Sequence, residues 1–143
     1  MEEIKKIKLM IKEPGKQAYV TEVDDTYEKM SEIVGGLIDC VEMPGVRDVD
    51  IYFNDEGKLD RLDGNIWLAG SDDCIVGTLY MVGYDSETGD NISLTDSQIK
   101  QCEKYVNTFS LPEGTNLYTD YYILAPFMNA KSERYFHKST LEM

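Results

Sequence analysis

Lys6-Ile7-Lys8-Leu9-Met10-Ile11-Lys12-Glu13-Pro14-Gly15-Lys16 is the stretch whose pattern fixes the kind of fold to expect. Ile7, Leu9 and Ile11 alternate with Lys6, Lys8 and Lys12, the period of two that marks a strand with one buried and one wet face. Glu13-Pro14-Gly15-Lys16 then makes a tight turn, with Pro pre-set for its first corner and Gly able to take positive φ at its second. Residues 18–23 read as a returning strand, so the chain opens on an antiparallel hairpin.

Downstream the period changes to that of a helix and back. Thr26 is placed to cap a helix whose apolar positions Tyr27, Met30, Val34 and Leu37 recur at helical spacing. Gly35-Gly36 ends it through a left-handed cap. Residues 38–43 are extended again and turn at Pro44-Gly45. Val49, Ile51 and Phe53 alternate with polar neighbours as a strand with one wet face, and Asn54-Asp55-Glu56-Gly57 reads as a hairpin turn with Gly57 left-handed. Residues 66–68 and 74–82 are further extended segments, the latter weakened by Gly77 and, just after it, Gly83, which signal a bulge or a close backbone approach. Thr95-Asp96-Ser97-Gln98 is a capping box opening a helix through Ile99, Cys102, Tyr105 and Val106. After Leu111-Pro112 the periodicity fades into a tail crowded with Tyr118, Tyr121, Tyr122, Phe127, Tyr135 and Phe136. The expectation is a single α+β domain over residues 1–143, mostly antiparallel, with two helices packed on the sheet and an aromatic C-terminal extension.

Five segments in order carry a family likeness: EPGK (13–16), YEKMSEIVGGLIDCV (27–41), NDEGKL (54–59), DDCIVGTLYMVG (72–83) and SLTDSQI (93–99). Together, across about residues 8–105, they resemble domain-of-unknown-function family 3846. The resemblance implies a setting in bacteriophages, plasmids and other mobile elements of Gram-positive bacteria, where small accessory proteins counter host defence or modulate host enzymes. It implies no catalytic residues. The tail from Asn107 onward lies outside the likeness.

Composition narrows the chemistry. The 143 residues hold 27 acidic and 14 basic side chains, a net charge of −13, which opposes sequence-independent binding to nucleic acid or an anionic bilayer. With His137 the single histidine, sites needing several are excluded. Three widely spaced cysteines, Cys40, Cys74 and Cys102, fit reduced structural thiols in a cytoplasm. No apolar run is long enough for a membrane span, and the first residues lack the apolar core of a secretory signal.

Individual motifs are weak. Asp85-Ser86-Glu87-Thr88-Gly89-Asp90 resembles a calcium loop, but the sharp-turn glycine belongs at the sixth position, where Asp90 stands, so a hairpin loop is the better reading. Of the paired acids Asp24-Asp25, Asp48/Asp50 and Asp72-Asp73, only Asp48 and Asp50 have the spacing that puts strand side chains on one face, and a solvated face explains them more simply than Mg²⁺. No phosphate-binding glycine motif occurs. Cys40 sits between Asp39 and Glu42, the wrong sign to activate a thiolate. Neither a metal nor another cofactor is expected.

Charge distribution is the informative feature. Residues 22–96 hold 19 acidic side chains against four basic, while the flanks are near neutral. Self-repulsion on this scale costs stability. Solubility explains part of it. The sharper reading is a non-enzymatic inhibitor whose carboxylates on Glu28, Glu32, Asp48, Asp50, Asp55, Glu56, Asp72 and Asp73 meet a basic host protein in place of phosphates. That partner would be a nucleic-acid-binding enzyme, such as a CRISPR- or restriction-type nuclease. Glu28 and Glu32, four apart, share a helical face and repel each other. A second reading is a small-molecule binder that sequesters a nucleotide messenger of host defence, with tyrosines stacking on the base. An enzyme is the least favoured. The Tyr-rich end offers a surface for self-association.

Overall fold

A computed structural model describes residues 3–117. The tail's six aromatic residues from Tyr118 to Phe136, and His137 with them, lie outside the described residues, and so does self-association through them. The N-terminal hairpin forms as read: β1 (Lys6–Lys12) pairs antiparallel with β2 (Tyr19–Asp24). Gly15 takes φ +72° and Lys16 N–H closes the turn onto the Glu13 carbonyl at 3.1 Å. Helix α1 (Tyr27–Val34) follows, its first turn capped by Thr26 Oγ1 accepting from Lys29 N–H at 3.2 Å. Gly35 at φ +83° ends it. A helix this short is marginal alone; Met30 and Val34, buried in the core, hold it to the sheet at about 1.5–3 kcal/mol each. Tyr27 and Leu37 do not join that face. Both are exposed, Tyr27 because it opens the helix at its rim and Leu37 because the glycine pair stops the helix before it.

The remaining strands are β3 (Ile38–Glu42), β4 (Val49–Asn54), β5 (Gly64–Trp67), β6 (Cys74–Val76), β7 (Leu79–Tyr84) and β8 (Asn91–Ile92), followed by α2 (Asp96–Phe109). The main sheet runs β2-β1-β7-β4-β3 with β8 paired to β7, and every pairing is antiparallel. The stretch 74–82 is not one strand. Gly77 at φ +75° breaks it, leaving β6 in a separate two-stranded sheet with β5 while β7 enters the centre of the main sheet. Nor is the segment after Asn54 a hairpin turn with a left-handed Gly57. It coils through helical turns, Asp60 N–H to Glu56 O at 2.9 Å and Leu62 N–H to Gly57 O at 3.0 Å. Gly57 is not at positive φ; a Cβ there would sit 2.9 Å from Val76 Cγ2, so close packing under β6 is what demands glycine.

Two cores flank the sheet. Ile7, Leu9, Ile11, Tyr80 and Val82 face α1. Met10, Ile51, Leu79 and Met81 face β5, β6 and α2, where Trp67, Tyr105 and Phe109 pack. The alternation in β1 therefore describes only its first half. Lys6 is exposed, but Met10 is fully buried and Lys12 is 2% exposed, because β5 and α2 cover the face that the lysines were expected to leave wet. The capping box of α2 is present in both directions, and Gln98 Nε2 also reaches the Arg47 and Asp48 carbonyls at 3.3 and 3.2 Å, tying the helix start to the β3–β4 turn.

Candidate functional site

Strand order converts the charge segregation of the chain into a polarity across the sheet. At the β1–β2 edge lysines meet acids: Lys6 pairs with Asp24, and Lys8 stands opposite Glu22 in the register. The strands of the other edge, β3 and β4, carry Asp39, Glu42 and Asp50 and no basic residue, and the stretch 38–73 as a whole holds ten acidic side chains against Arg47, Lys58 and Arg61. The surplus belongs to β3, β4 and the loops that follow them.

Each of the expected acidic residues has a different neighbourhood. Glu28 lies in the first turn of α1, where the positive end of the helix favours it, and Glu32 pairs with Lys29 at 3.7 Å. Reversing either to Lys costs the helix a favourable charge interaction. Asp48 stands at φ +59° before β4, within 3.8 Å of Arg47. Asp50 is half-buried on β4, directly across from Glu42 on β3. Glu56 follows Asp55 in the coiled segment, its N–H bound by Asn54 Oδ1 at 2.8 Å. Asp72 and Asp73 lie in the β5–β6 loop, Asp73 paired with Lys58.

The fold brings Asp55 and Asp73 together and adds Asp39, which sequence reasoning missed. All three line a cavity of about 280 Å³ between β3–β4 and β6, whose apolar lining includes Val41, Phe53 and Ile75. Only the pairing of β3 with β4, which sets Asp39 across from Phe53, places Asp39 there; no local pattern marks it.

On the α1 side of the same edge, Tyr52 stacks on Tyr80 with ring centroids 5.1 Å apart and donates from its hydroxyl to Asn91 Oδ1 at 3.1 Å. Cys40 stands across from Tyr52 on edge strand β3 and is exposed, unlike Cys74 and Cys102. Partial burial, then Asp50 and Asp39, push the Cys40 thiol up, so it stays protonated and a weak nucleophile. Burial drives Cys74 and Cys102 to about 11 and about 12. Among the described residues no group of three or more His, Cys, Asp or Glu is arranged to hold a metal ion. A larger groove of about 520 Å³ over β2 contains Lys6, Lys29 and Tyr19, but both lysines are engaged by acids and Glu13, Glu22 and Asp24 share the lining.

Burial, then Glu42, raise the Asp50 carboxyl above its ordinary value of 3.8. The folded chain therefore holds this proton more tightly than the unfolded chain, and stability falls as pH rises from 3.8 through the raised value. Asp50→Asn is expected to raise the melting temperature at neutral pH, with the gain shrinking as pH falls toward 3.8. Thermal unfolding of both forms across that range checks it; a loss at neutral pH contradicts it.

Fold and site together define a small acidic, antiparallel α+β domain with one carboxylate-rich edge. The chain belongs to DUF3846, a domain of unknown function, whose family model matches residues 7–110. No curated protein and no solved structure matches it. Among the described residues no helix is long and apolar enough to cross a membrane.

Proposed function

We propose that this protein is a non-enzymatic inhibitor that works in the cytoplasm by presenting its β3–β4 edge to a basic, nucleic-acid-processing protein. The observation that carries the reading is Glu42 held directly opposite Asp50, the last pair of the β3–β4 register, on an edge already in acidic surplus. Like charges in register destabilise a sheet, and a positively charged groove relieves that repulsion on binding. Carboxylates then occupy positions that phosphates hold in the partner's own complexes, and nucleic acid is excluded by competition. The mobile-element setting implied by the family likeness makes a host defence nuclease the natural target. A nucleotide messenger is the weaker reading, since both cavities described above are lined by more carboxylates than ammonium groups.

Affinity capture with the full chain identifies the partner, and titration of the purified pair tests the mode. Between roughly 0.05 and 0.5 M salt the affinity is expected to fall on the order of tenfold or more, mainly through the association rate. Glu42→Gln/Asp50→Asn is expected to weaken binding while leaving the fold at least as stable. Salt-independent binding, or a bound nucleotide in place of a protein, would overturn the reading.

A further inference from the structure

The cavity between β3–β4 and β6 has no occupant assigned above, and its geometry points to one: an arginine side chain of the basic partner, inserted as the anchor of the interface. This rests on the reading that the acidic edge meets a basic protein and adds where, and by which residue type, it is gripped.

Size, lining and charge agree on that occupant. The cavity volume is about 280 Å³. That is below the roughly 300–1,000 Å³ of pockets that engulf drug-sized molecules. It suits one long side chain better than a nucleotide. Val41, Phe53 and Ile75 offer an apolar floor for the methylene stem of such a residue. Asp39, Asp55 and Asp73 supply the lining carboxylates against Lys58 alone, and Lys58 is already paired with Asp73. Neither Asp39 nor Asp55 has an ion-pair partner among the described residues. An anion would be repelled here, and a cation with an apolar stem matches both parts of the cavity. Arginine suits it better than lysine: a guanidinium forks between two carboxylates, is less strongly hydrated, and lies flat against an aromatic ring such as Phe53.

The probe is N-acetyl-arginine methylamide, with the citrulline analogue as its neutral isostere, titrated into the full chain while backbone amide shifts are followed. The arginine probe is expected to move amides of residues 39–41, 55 and 73–76, with an affinity on the order of tenfold above that of the citrulline probe. Asp39→Asn/Asp55→Asn changes two exposed side chains outside the core and is expected to remove most of that advantage. Val41→Phe fills the cavity with every charge retained and is expected to abolish binding; should it fail to fold, the Asn pair and the citrulline comparison decide. Equal binding of the two probes, shifts confined to other regions, or an unchanged affinity in the Asn pair would overturn the proposal. A nona-arginine peptide separates this inference from the reading beneath it. Salt-sensitive peptide binding that survives Val41→Phe overturns the cavity anchor and leaves the acidic edge standing. Absence of salt-sensitive peptide binding by the parent chain overturns both.

Discussion

Asn65→Ala is expected to lower the stability of the fold by about 3 kcal/mol or more, far beyond the roughly ±0.5 kcal/mol of an ordinary surface change. Asn65 is fully buried on β5 and joins three parts of the chain. Its Nδ2 donates to the Lys12 carbonyl at 2.7 Å and the Gly77 carbonyl at 2.8 Å, and its Oδ1 accepts from Lys12 Nζ at 3.1 Å. Removing the amide strips a partner from each of those groups at once, and a buried group that loses its partner costs about 1–3 kcal/mol. The ammonium of Lys12 keeps only the Glu13 carbonyl, at 2.9 Å, of its observed acceptors.

Lys12→Met behaves differently, because it removes the buried charge along with its hydrogen bonds. Removing a buried ammonium also removes its desolvation cost, which offsets the donor lost at Asn65 Oδ1, whereas deleting Asn65 leaves the charge buried with fewer acceptors. Lys12→Met should therefore cost well under the Asn65→Ala figure, and the double variant should cost less than the sum of the singles. The pH dependence separates the two further. Burial lowers the Lys12 pKa, only partly offset by Glu13, so between the lowered value and 10.5 the unfolded chain holds the extra proton. Stability relative to Lys12→Met should then rise with pH across that window. Denaturant unfolding of the three variants near neutral and at alkaline pH measures both effects. An Asn65→Ala cost under about 1 kcal/mol would show that water replaces the amide and that the network is dispensable.

Lys12 also shows where sequence reading reaches its limit. Local signals placed the hairpin, the Thr26 cap, the Gly35 stop and the Thr95–Gln98 box, because each depends on residues within one turn of each other. The alternation of β1 says that one face is apolar. It carries nothing about a second layer returning from residues 64–76 to cover the other face, so a lysine that looks solvated is buried. Gly77 was legible as an interruption, but the exchange of sheets it permits depends on where β6 and β7 find partners. The site divides in the same way. An acidic surplus is visible from composition, and Asp55 and Asp73 fall within it, but their sharing of a cavity with Asp39 follows from strand pairing and loop path. Cys40 reads in sequence like the other two thiols and differs in lying exposed on edge strand β3.

Tyr105→Phe removes a single oxygen and is expected to cost about 2 kcal/mol or more. The Tyr105 hydroxyl donates to the Trp67 carbonyl at 2.6 Å and accepts from Ala69 N–H at 2.8 Å, both in buried surroundings, while its ring packs on Phe109 at 4.7 Å between centroids. Phenylalanine keeps the ring, so the loss falls on those two backbone groups. They stand at the start of the β5–β6 loop, whose other end carries Asp72 and Asp73 and whose Leu68 lines the cavity. From inside the core, α2 thus clamps the loop that holds one wall of the proposed docking cleft. The deficit should therefore be local as well as global. Amide hydrogen exchange at residues 68–73 should accelerate in Tyr105→Phe by more than at β1 or β7, where exchange reports opening of the central sheet. Loosening that wall disorders Asp73 relative to Asp39 and Asp55, so binding of a basic partner should weaken even though no surface charge has changed. A uniform acceleration across β1, β7 and the loop would mean that Tyr105 supports only the core as a whole. Exchange confined to the loop, with weaker binding and a central sheet still protected, would tie the buried hydroxyl to the acidic cleft it supports.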